Sequence, residues 1–202
     1  MSESPLENAA TSAMSELREA TWPSHQRLDK RIDFNARLAT VSSYRGHIER
    51  MWGFYVSIEA QLDSGVLGNW LSDYPARHKA PLLERDILAL GAESSALAAL
   101  PRCPFVPACD DPQAAFGCAY VLEGATLGGR TLMPLVEARL GLTADHGAAF
   151  LGSYGNAVGD MWRKFGQALE LCCSTEQYRH RAAESASATF CALERWLCDA
   201  HP

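Results

Sequence analysis

Several chemical signatures are missing from this 202-residue chain. It has no G-x-x-x-x-G-K-[ST] loop to cradle phosphates and no G-x-G-x-x-G turn after a strand, so neither nucleotide-binding fingerprint is present. H-E-x-x-H is absent, and no glutamate has a histidine three residues on. That excludes the usual zinc-protease helix and the usual carboxylate-bridged di-iron bundle. No serine sits in a G-x-S-x-G elbow. No window approaches the roughly 20 apolar residues needed to span a bilayer. Lysine is limited to Lys30, Lys79 and Lys164, and the net charge is -6. These leave no polybasic membrane patch and no basic stripe for nucleic acid. Seven cysteines are present, but the odd count, the adjacent pair Cys172–Cys173 and the lack of C-x-x-C argue against a disulfide framework or a zinc site. Any chemistry is therefore expected to come from a borrowed cofactor.

What remains is an ordinary globular composition, 48% hydrophobic and 21% charged. A chain of this length can bury a core without staples. The opening MSESPLENAATSAMSE is acidic and has no apolar centre, so it reads as neither a signal nor a transit peptide. Residues 1–11 are expected to be a flexible tail, 12–199 one helical domain, and the location cytoplasmic.

Apolar spacing is helical almost throughout, with no alternating strand. A first helix is expected over 12–32, kinked at Pro23. A second spans about 42–63, with Ser42 as its N-cap and Tyr44, Ile48, Met51, Tyr55, Ile58 and Leu62 on one face. A third covers about 79–90 and stops at Gly91. Residues 92–100 add a turn, and the proline-rich 101–112 forms a loop. A helix over 112–129, a separate one to about 140, one over 145–171 and one over 175–199 complete an all-α single domain of seven or eight helices.

Residues 117–130, GCAYVLEGATLGGR, stand out. Each interior glycine weakens a helix by roughly 1 kcal/mol relative to alanine. Gly124 and Gly128 are four apart and share a face, and Gly129 widens the bare strip. Two readings are open: close helix packing, or a ligand laid against backbone. Among six histidines, His25 is distinguished by Asp29 four residues on, the carboxylate partner that metal-bound histidines usually have. His47 has Met51 at that spacing and no such partner.

Together these segments carry a resemblance. LREATWPSHQRLD (17–29) resembles the proximal helix of heme oxygenases, where a histidine follows an E-A-T turn and binds heme iron. YVLEGATLGGR (120–130) resembles the distal helix, above all in the bacterial subgroup found with bacteriophytochromes. SSYRGHIERMWGFYVSIEAQLD, HKAPLLERDILAL, WRKFGQALEL and the A-T-F at 188–190 also match in position, so the resemblance covers most of 13–198.

The resemblance implies heme b held between a proximal and a kinked distal helix. His25 would be the iron ligand, its ring steadied by Asp29. Gly124 and Gly128 would be the catalytic distal glycines, with Gly129 beside them. Arg163 and Arg18 would meet the propionates, a task that suits bidentate arginine. With no side chains above the iron, bound O2 can bend along the ring toward a meso carbon, so heme is both cofactor and substrate. Products would be biliverdin (the IXα isomer by subgroup), carbon monoxide and ferrous iron. Electrons would come from a separate ferredoxin or flavin reductase, and the bilin would suit a bacteriophytochrome. One departure stands out. Many family members carry aspartate after the first distal glycine, and here that position is Ala125. Thr126, Arg130 or ordered water are the candidate substitutes, and a heme carrier without turnover is the alternative. Cys103-Pro104 resembles the Cys-Pro pair of some heme-regulated proteins but reads more simply as a loop cysteine before a turn proline.

Overall fold

The computed structural model describes residues 12–63 and 66–199. The expected tail at 1–11 lies outside the described residues. Those described form nine α-helices and three short 3₁₀ turns, with no strand among them. The expected all-α class holds. The count exceeds seven or eight because α2 (Phe34–Arg37), α5 (Ser94–Leu97) and α7 (Ala149–Gly152) are single turns.

Helix α1 (Ala13–Arg31) runs through Pro23. Ala13, Leu17, Thr21, Ser24 and Leu28 recur at steps of three and four and make its buried face. Its first free backbone N–H groups, on Ala13 and Met14, donate to Glu170 at 2.9 and 3.0 Å. A carboxylate there satisfies orphan donors and complements the helix dipole. Helix α3 (Val41–Leu62) is capped by Thr40, not Ser42. Thr40 and Ser43 exchange side-chain and backbone hydrogen bonds in a capping box, which begins the helix earlier than expected. Helix α4 (Ala80–Ala89) ends just before Gly91, as anticipated.

Helix α6 (Pro112–Leu140) is the largest departure from expectation. It is continuous through Gly124, Gly128, Gly129 and Pro134, where two helices were expected. Asp111 caps its start by accepting from the Ala114 N–H at 2.7 Å, and Gly141 ends it with φ +68°. Its N-terminal half is buried almost all round, from Ala114 to Glu123, whereas beyond that only Thr126, Gly129 and Val136 are buried. Core packing on α9 (Glu176–Cys198) therefore carries the helix into its weak segment. The two approach so closely that a Cβ on Gly117 would lie 2.2 Å from the Ala182 carbonyl oxygen.

The helix expected over 145–171 is instead divided. Helix α7 is followed by Ser153 at φ +38° and Gly155 at φ +54°, a 3₁₀ turn, and then α8 (Val158–Cys172). Two left-handed residues interrupt the helix there. The start of α7 is held from outside: fully buried Asp86 of α4 accepts from the Ala149 and Phe150 N–H groups at 2.6 and 2.8 Å. Helices α1 and α6 both pack against α9, and a cleft opens between them.

Candidate functional site

The cleft has a volume of about 680 Å³, within the roughly 300–1,000 Å³ usual for ligand pockets. His25 projects into it from α1. The ring's Nδ1 lies 3.0 Å from Asp29 Oδ2, so the pairing expected from the i, i+4 spacing is present. With its Nδ1–H on the carboxylate, His25 is left with Nε2 as its free ring nitrogen. Trp22 stacks beside the ring at 5.8 Å, and Phe190 of α9 meets it edge-on at 5.7 Å. These contacts orient a side chain that is still 48% exposed.

The three glycines of α6 separate into two kinds. An added Cβ on Gly128 would meet nothing within 4 Å, and one on Gly124 would sit 3.8 Å from the Trp162 ring. Both glycines line the cleft with bare backbone. Gly129 also borders the cleft, but it is buried, and a Cβ there would come within 2.7 Å of the Leu151 carbonyl oxygen. Close packing accounts for Gly129, which admits the α7 backbone, while Gly124 and Gly128 leave open space beside the helix on the cleft side.

The predicted arginines part company. Arg18 is exposed and lines the cleft. Arg163 is not among the lining residues, and its guanidinium pairs with Asp160 at 2.9 Å on the exposed side of α8. Helical phase explains the difference: neighbouring Trp162 faces the cleft, and the next residue is turned roughly 100° away. Neither proposed side-chain substitute for the missing aspartate lies in the walls. Thr126 is buried and donates to the Glu123 carbonyl at 2.6 Å, and Arg130 is exposed outside the cleft. Cys103 is a buried loop thiol away from the cleft, its pKa raised by burial.

Two features escaped the sequence. One is a buried charge cluster that grips α6 just before Gly124. Glu123 accepts from Tyr154 Oη at 2.7 Å and from Arg77 Nη1 at 2.8 Å. Arg77 also forks onto Asp73 and reaches the Met161 carbonyl. Lys79 donates to the Arg77 carbonyl and lies 3.8 Å over the Tyr154 ring. Burial raises the Glu123 pKa, opposed chiefly by Lys79 and Arg77, and lowers that of Lys79 to about 8. The second is His47, which lines the cleft. Its Nδ1 lies 2.8 Å from Arg37 Nη1, and burial, aided by Arg37, pulls its pKa down to about 3. The i+4 neighbour of His47, Met51, offers no partner, and the one it has, Arg37, comes from a separate helix, α2.

No three His, Cys, Asp or Glu side chains converge on a metal site among the described residues. His25 alone would hold a bare ion weakly. It suits an ion that arrives with its own equatorial ligands, and the apolar walls and bare glycine backbone suit a flat macrocycle around it.

The fold and cleft define a helical protein presenting one oriented histidine and a strip of bare helix backbone to a single, mostly apolar cleft. The heme oxygenase family model matches residues 11–199, and the chain belongs to that family. No curated protein sequence matches it. Among solved structures it is similar to the heme oxygenase from Neisseria meningitidis, at 18% identity and a TM-score of 0.74, over 93% of this chain and 91% of that one. The heme oxygenase from Leptospira interrogans gives 15% and 0.76, over 93% and 98%. Heme oxygenase-1 from the cyanobacterium Synechocystis, solved in complex with heme, gives 17% and 0.73, over 92% and 90%. At such identities these likenesses speak for the fold. No described helix is long and apolar enough to cross a membrane.

Proposed function

We propose that this chain opens heme oxidatively to biliverdin IXα, carbon monoxide and ferrous iron, using O2 and external electrons. The supporting observation is the pairing of Asp29-held His25 with the bare backbone of Gly124 and Gly128 in one apolar cleft. Bound heme supplies the iron that activates dioxygen and the ring that is oxidised. In this reading, Nε2 of His25 holds the iron and Asp29 keeps the ring in the right tautomer and orientation. Gly124 and Gly128 keep the distal face free of side chains. Phe150, Leu151 and Leu132 exclude bulk water from the inner walls. Arg18, at the mouth, meets the propionates. Arg163 would have to leave Asp160 to share that task.

The electron donor in this proposal is a separate ferredoxin or flavin reductase, because the sequence carries no nucleotide-binding fingerprint. A bacteriophytochrome is the acceptor we propose for the bilin. Titration with hemin is expected to give a histidine-ligated spectrum that His25→Ala abolishes. Reductant and O2 should then yield biliverdin. If the spectrum survives in His25→Ala, the ligand assignment fails. If heme binds without ever giving a bilin, the chain is a heme carrier.

A further inference from the structure

Arg18 and His47 mark opposite ends of the cleft. Arg18 lies near the start of α1, while the His47 ring meets Phe34, just past the end of that helix, edge-on at 6.0 Å. The thirteen steps from Arg18 to Arg31 alone span about 20 Å at 1.5 Å per residue. The walls at the His47 end are mostly apolar, with Ile32, Phe34, Met51, Phe150 and Leu197 among them.

His47 is polar there, and its proton is placed by its neighbour. An arginine can only donate, so the 2.8 Å contact makes His47 Nδ1 an acceptor of Arg37 Nη1 and leaves the proton on Nε2. Arg37 is itself fixed, its Nη2 donating to the Leu197 carbonyl at 2.8 Å. Among the described residues the only hydrogen bond of the ring is the one through Nδ1, so the Nε2–H of this half-buried side chain faces the cleft that His47 lines. A directed donor in an apolar wall is unfavourable unless a guest or water completes it.

Substrate chemistry narrows that guest. This step rests on the proposed heme-opening function. With the two carboxylates of heme at Arg18, the edge near His47 bears only methyl and vinyl groups and offers no acceptor. Ring opening changes this, because the two pyrrole carbons flanking the lost meso carbon become lactam carbonyls. We propose that His47 is a product-binding residue whose Nε2–H hydrogen-bonds a lactam oxygen on the edge remote from the propionates, and so distinguishes the bilin opened at its α position from intact heme. His47 transfers no proton and forms no covalent bond in this role.

The test compares binding of biliverdin IXα and of hemin to the full chain by tryptophan quenching. His47→Phe removes the donor and is expected to weaken biliverdin IXα about 5-fold, the equivalent of one hydrogen bond of about 1 kcal/mol, with hemin affinity within about 2-fold. His47→Gln, which retains an N–H, should recover most of the loss. If Phe overpacks the wall, the smaller His47→Leu serves the same comparison. Unchanged bilin affinity in both variants would overturn the inference while leaving heme oxidation intact. A wild-type chain that binds no hemin would overturn the functional reading and this inference with it.

Discussion

Gly128 and Gly129 are adjacent, yet one faces open space and the other a carbonyl oxygen 2.7 Å from where its Cβ would be. Substitution should separate their roles. Gly128→Ala is expected to leave stability unchanged or raise it by up to about 1 kcal/mol, since alanine favours the helix and nothing obstructs the methyl. It should nevertheless depress bilin formation by placing a methyl over the cleft. Gly129→Ala should destabilise by about 1–3 kcal/mol, because the Leu151 backbone must move. Urea melts and turnover assays on the same two variants check this. Equal stability losses would mean that the two glycines share one packing role. The i, i+3 and i+4 phase was readable from the sequence. Which neighbour belonged to packing was not, because Leu151 lies more than twenty residues away.

Among the elements, α6 tolerates its glycines because other parts of the chain hold it. Burial against α9 fixes its first half, and the Glu123 cluster fixes it one residue before Gly124. Thr126, bonded back to the Glu123 carbonyl, adds a local irregularity of the kind that bends helices. Tyr154→Phe removes one donor to a buried carboxylate and should destabilise by about 1–3 kcal/mol. If the cluster positions α6 over the guest, the variant's hemin complex should also show a shifted spectrum. Normal stability and a normal spectrum would mean that Tyr154 only fills space. Helix propensity alone led to two helices where one exists and to one helix where α7 and α8 are separate. Glu123, Arg77, Lys79 and Tyr154 carry no mutual spacing pattern, so their meeting could not be read in advance.

For the whole molecule, titratable groups withdrawn wholly or partly from water set the response to acid. An unfolded His47 takes up its proton near its ordinary value of 6.5, whereas the folded ring, held down first by burial and then by Arg37, resists to about 3. Between those values the unfolded state binds more protons, so this group makes stability fall as pH falls from about 6.5 toward 3. Its slope is at most about 1.4 kcal/mol per pH unit. Burial raises Glu59, Asp86 and Glu123, which act in the opposite sense as pH falls through their folded values. The His47 share is therefore isolated by difference: His47→Gln should have a flatter stability profile than wild type from pH 6.5 to 4. Parallel profiles would show that the ring is protonated in the folded state.

The sequence by itself determined the helical class, most helix positions, and the pairing of His25 with Asp29. Those follow from apolar periodicity and an i, i+4 spacing, both local quantities. It also placed Gly124 and Gly128 on one helix face. Only the tertiary structure decided that these glycines and His25 share a cleft, that Arg18 lines it while Arg163 turns toward Asp160, and that His47 has Arg37 behind it. Each of these depends on how helices distant in sequence pack together, and local patterns carry no record of their partners.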